Sequence, residues 1–112
     1  MVYNLLITEK AAGQIDQLTD YLVNTLKNPD AALHFLDELD SIYQRFKTNP
    51  FQFPKASDLF LPDKEYREAI LLKMSYRVIF RIEEKTVYII CVFHTLEDYE
   101  SKINHKSSLF HH

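Results

Sequence analysis

Two apolar stripes of helical period stand in the first half of this chain, with only a few residues between them. Ala11, Ile15, Leu18, Leu22 and Leu26 recur at steps of three and four, which is one face of an amphipathic helix. Thr8 precedes that stripe as its N-cap, because its hydroxyl can accept a bond from a backbone N–H of the first turn. Asn28-Pro29 ends the run near Lys27 and begins another. Asn28 caps, and Pro29 takes the first helical position, where a missing N–H costs nothing. Ala32, Phe35, Leu36, Leu39, Ile42, Tyr43 and Phe46 then share one face until Thr48-Asn49-Pro50 stops the helix. So short a connection predicts an antiparallel helical hairpin.

Beyond Pro50 the period is lost as far as residue 64, and that stretch reads as a loop. Three strand-like runs follow, at 66–72, 76–83 and 86–94. The turns around Lys73-Met74 and Glu84-Lys85 are too short for a parallel crossover, so these runs pair as antiparallel hairpins. Residues 3–8 form a further short strand at the start. The order is β-α-α-β-β-β, an α+β fold in which an antiparallel sheet is packed on one face by the helical hairpin. A single domain is expected over 1–103, with a weak helix or turn at 96–103. A flexible tail follows over 104–112, whose closing His111-His112 is set aside from the chemistry.

Composition narrows the function classes. At 112 residues and 46% hydrophobic, the chain is one globular domain. Its longest apolar run, 87–93, is far below the roughly 20 residues of a membrane helix. The first residues lack the basic region of a signal peptide. The lone Cys91 cannot form an internal disulfide, and its place on the expected core face argues against a reactive thiol. With Lys+Arg 13 and Asp+Glu 16, the net charge of −3 excludes a molecule-wide nucleic-acid surface. Three of the four arginines (Arg67, Arg77 and Arg81) lie in the C-terminal half, which is where a polyanion would be met. There is no glycine-rich phosphate loop, metal-ligand spacing, nucleophile elbow or H-E-x-x-H, so no cofactor and no metal is expected.

Strand parity then assigns faces. A two-residue loop at Glu84-Lys85 sets Glu83 opposite Thr86, and counting back pairs Phe80 with Ile89, Val78 with Cys91 and Tyr76 with Phe93. That face is wholly apolar and belongs under the helices. The other face places Arg81 beside Tyr88, Arg77 beside Val92 and His94 beside Ser75, so two guanidiniums, a phenol and an imidazole gather on an uncovered surface. The bland reading is a solvated outer face, with arginine stems covering apolar neighbours. The functional reading is a mixed apolar and basic patch for an anionic partner.

The order of elements, with Tyr66-Arg67 opening the second strand, Tyr76-Arg77-Val78-Ile79-Phe80-Arg81-Ile82 as the third and Val87-Tyr88-Ile89-Ile90-Cys91-Val92-Phe93-His94 as the fourth, resembles the RelE/ParE superfamily of type II toxin–antitoxin toxins over roughly 2–100. The resemblance implies a small cytoplasmic bacterial toxin that inhibits growth, serves plasmid stabilisation and is neutralised by a cognate antitoxin. It also implies a homodimer or a toxin–antitoxin hetero-oligomer. ParE-like members poison DNA gyrase, whereas RelE-like members are metal-independent mRNA endoribonucleases acting in the ribosome. On the second reading Arg77 and Arg81 bind the scissile phosphate and His94 is the acid or base. On either reading Arg67, Lys73, Arg77 and Arg81 are the expected target-binding residues. Thr95-Leu96-Glu97-Asp98 stands where members of both branches often carry arginine or tyrosine, and the basic cluster around the second strand is thin. The thin cluster and the net charge weaken the nuclease reading and favour the ParE branch, whereas the departure at 95–98 counts for neither. A degenerate chain that keeps only the antitoxin interface is the reading from another class.

Overall fold

The computed structural model describes residues 2–56, 65–71 and 75–94. Strand β1 runs Asn4–Ile7, helix α1 Glu9–Asp20 and helix α2 Pro29–Thr48. Strands β2 (Arg67–Leu71), β3 (Tyr76–Glu83) and β4 (Thr86–His94) complete the order β-α-α-β-β-β. The expected helix at 96–103 and the tail from 104 lie outside the described residues.

Both helices begin as their caps dictate. Thr8 Oγ1 accepts the Ala11 N–H at 3.2 Å, and Asn28 Oδ1 accepts that of Ala31 at 3.1 Å, with Pro29 in the first turn. The α1 stripe does not end as a regular helix. Tyr21–Thr25 widens into a π-helical turn, and Lys27 takes the left-handed conformation at φ 52° so that Asn28 N–H can close on Leu22 C=O at 2.8 Å. Leu22 is thereby buried beside Ala32 and Phe35, which fastens the hairpin at its turn.

The sheet order is β1-β4-β3-β2. β2 with β3 and β3 with β4 are antiparallel as expected, but β1 runs parallel to β4, with Leu5 beside Val87 and Ile7 beside Ile89. The sheet is therefore mixed, not purely antiparallel. The cause is topological: the helical hairpin between β1 and the later strands supplies the long crossover that a parallel pair requires. Phe35, Phe46, Phe80, Val78, Val87, Ile89 and Val92 form the core between helices and sheet. Phe46 meets Phe80 at 4.2 Å and Phe53 at 5.0 Å between ring centroids. Phe53 belongs to the stretch expected to be featureless loop. Instead Pro50–Gln52 forms a 3-10 turn that drives Phe53 inward, and Lys55 bridges to Arg67 at the sheet edge.

Candidate functional site

The hairpin of β3 and β4 begins as parity predicts, with Glu83 opposite Thr86, Arg81 opposite Tyr88 and Phe80 opposite Ile89. Beyond that point the register shifts: Ile79 lies opposite Cys91, Val78 opposite Val92, Arg77 opposite Phe93 and Tyr76 opposite His94. Ile90 is the extra residue of a β-bulge, and every later side chain of β4 changes face. The bulge is clamped from the start of α1. Thr8 Oγ1 donates to Ile89 C=O at 2.8 Å, and Gln14 Oε1 accepts the Val92 N–H at 2.8 Å.

This bulge corrects the expected surface. Cys91 and Phe93 leave the helix-covered face and pack with Ile79 and Ala56 in a second small core on the opposite side. Cys91 is buried there too. Val92 takes their place under the helices. His94 turns with it: its ring meets Tyr76 edge-on at 5.5 Å, and Tyr76 in turn meets Phe35 of α2 at 5.1 Å. The imidazole is thus on the helix side, and the arginines at positions 77 and 81 are on the other.

Each described arginine of the expected set has an acidic neighbour. Arg77 forms an ion pair with Glu68 across β2 and β3, both side chains being largely buried. Arg81 lies 2.9 Å from Glu83 and stacks over Tyr88 at 4.4 Å. These two arginines are four positions apart on β3, roughly 13 Å along the backbone. Arg67 faces the helix side at the sheet edge, opposite Phe80. It donates to Phe53 C=O at 2.6 Å, lies 3.8 Å from Glu65 and covers the Phe51 ring at 5.1 Å. Lys73 lies outside the described residues. The structure brings Arg77 and Arg81 to one face and sets Arg67 and His94 on the other.

A concave surface lies elsewhere. α2 packs on the π-helical turn rather than along α1, so the two helices leave an open depression of about 360 Å³ between them. Its lining is Ile7, Ala12, Ile15, Leu36, Leu39 and Tyr43, with the carboxylates of Asp16 and Asp40 on its walls. Ile7 and Leu36 are exposed in it. The Tyr43 hydroxyl is buried without a hydrogen-bond partner among the described residues, and burial, followed by the nearby Asp40 charge, pushes its pKa up to about 12. The sequence pattern placed Ile15 in the first helical stripe, Leu36, Leu39 and Tyr43 in the second and Ile7 in the first strand, and it did not bring them together as a cleft. The π-helical turn that opens the cleft has no local signal in the residues.

The sequence profile described as "ParE toxin of type II toxin-antitoxin system, parDE" matches residues 5–99. The chain belongs to the ParE toxin family. Membership implies an antitoxin partner. No curated protein matches the sequence. Among solved structures, a chain of the chromosomal ParDE TA system from P. aeruginosa is similar at 22% identity and a TM-score of 0.67. The match covers 83% of this chain and 96% of that one, and at that identity it shows a ParE-like fold alone. Among the described residues of this ParE family chain, no helix is long and apolar enough to cross a membrane.

Proposed function

We propose that this ParE family chain is the growth-inhibiting half of a toxin–antitoxin pair, that its target is DNA gyrase, and that an apolar helical segment of its antitoxin lies in the cleft between α1 and α2. The observation that carries the antitoxin part is the cleft itself, where Ile7 and Leu36 expose apolar surface that a partner helix would bury. Gyrase as target rests on the ParE branch of the superfamily.

The endoribonuclease reading asks for an acid–base group beside a guanidinium free to meet phosphate. His94 on the helix side, with Arg77 and Arg81 on the other and each beside a carboxylate, supports the ParE reading over it.

The test is induced expression in bacteria without a partner. Growth arrest with double-strand DNA breaks is the expected outcome. Arrest with transcript cleavage would replace gyrase by mRNA as the target, and normal growth would leave a degenerate antitoxin-binding module. Leu36→Glu places a charge in the cleft, so it is expected to abolish rescue by a co-expressed antitoxin while leaving the arrest intact.

A further inference from the structure

The corner where the end of α2 meets the start of β2 is chemically unlike the rest of the molecule. From Asp30 to Asp40 α2 carries Asp30, Asp37, Glu38 and Asp40 and no lysine or arginine, whereas from Ser41 to Ala56 the chain carries Arg45, Lys47 and Lys55 and no acid. The fold adds Arg67 to the basic group. The Arg45 guanidinium stacks on Phe53 at 4.6 Å, and Arg67 bonds the carbonyl of that same residue while covering Phe51. Bases in the last turn of a helix also offset its dipole, which accounts for Arg45 and Lys47 but not for Lys55 or Arg67.

Two features point to what such a corner binds. Phe51 is 53% exposed, an aromatic ring standing beside stacked guanidinium groups at the rim of the core. Glu65, itself exposed, reaches between Lys55 at 3.2 Å and Arg67 at 3.8 Å, so a carboxylate already occupies the site from within the chain. The Lys55–Glu65 pair is exposed on both sides, so it is held weakly and exchanges readily for another carboxylate. Arg67 is largely buried and presents only its edge.

We propose that this corner is a docking site for an acidic protein segment, with Arg45, Lys55 and Arg67 meeting its carboxylates and Phe51 an apolar side chain among them. A nucleic acid fits less well. Its affinity grows with the number of phosphates neutralised, and only a few cations gather here on a chain of net charge −3. Arginine and aromatic residues beside one another are, by contrast, the composition of protein-binding hot spots. The inference concerns a surface apart from the α1/α2 cleft and holds whether or not the chain is toxic.

The test is fluorescence anisotropy, with the full-length chain titrated into a labelled peptide of alternating Glu and Leu containing one Phe. Its two comparators are the same peptide with every Glu changed to Gln and a labelled single-stranded oligothymidylate. The acidic peptide is expected to bind, and to bind less as salt is raised. Arg45→Glu and Lys55→Glu, both at exposed positions, are expected to weaken it by roughly threefold or more each. Phe51→Ser is expected to weaken it as well. Glu65→Gln is expected to tighten it by roughly threefold, because it removes the internal competitor. Equal or tighter binding of the oligothymidylate, equal binding of the Gln peptide, an affinity unmoved by Glu65→Gln, or no binding of any probe would each overturn the proposal.

Discussion

Tyr43 carries a hydroxyl into apolar surroundings, and the consequence is a pH dependence at the alkaline end. In the folded chain its pKa is pushed up to about 12, against 10.0 for an ordinary tyrosine. Between those values the unfolded chain has lost the phenolic proton and the folded chain has kept it, so ionisation favours unfolding. The stabilising contribution is complete below pH 10.0 and is lost as pH climbs towards about 12. Tyr43→Phe is therefore expected to flatten the fall in urea midpoint across that window. It should cost little near neutrality, because the hydroxyl it removes has no partner among the described residues. A midpoint that falls with pH as steeply in the variant as in the parent would show that another group governs alkaline unfolding.

At the level of elements, the β4 bulge decides which side chains share a surface, and Gln14 holds it together with Thr8. Gln14→Leu strands the buried Val92 N–H and is expected to cost about 1–3 kcal/mol, read as a lowered urea midpoint and faster amide exchange at Val92. Gln14→Glu keeps an acceptor and is expected to recover most of the exchange protection, which a purely steric role would not allow. The bulge also marks where the sequence stops being informative. Thr8, Asn28 and Pro29 announce the helix starts through their own side-chain chemistry, and all three act as that chemistry requires. From Ile89 to Phe93 every residue is apolar, so either face assignment of β4 satisfies the hydrophobic pattern. What breaks the tie is the hydrogen bond that the Val92 N–H donates to Gln14 Oε1, 78 positions away. The parallel placement of β1 was invisible for a similar reason, since four residues of strand carry no statement of direction. Arg81 beside Tyr88 was legible because it lies on the turn side of the bulge. Arg77 beside Phe93, and His94 beside Tyr76, were not.

On the scale of the whole molecule, the acids of the cleft and the bases beyond the end of α2 stand at different places. Asp16 and Asp40 flank the cleft between the helices, while Arg45, Lys55 and Arg67 cluster beyond the end of α2. Leu36 lies nine positions before Arg45 on α2, about 13.5 Å of helical rise. Charges separated by more than about 8 Å at physiological ionic strength are largely screened from one another. Leu36→Glu, which disables the cleft, is accordingly expected to leave the acidic-peptide affinity within about twofold of the parent, as distant sites normally do. A larger change in the same anisotropy titration would mean that the two surfaces are one.

The parallel seam between β1 and β4 has a consequence for synthesis. Thr8 finds its acceptor 81 positions further on, at Ile89. As the nascent polypeptide leaves the ribosome, β1 has no sheet partner until β4 has followed it out. The greasy side of the helical hairpin is covered in stages, first by Phe53 and then by the strands that follow it. Such long-range pairing is slow to form, and throughout that interval the emerging segment is open to chaperones, to proteases and to any newly made protein able to grip a bare amphipathic helix.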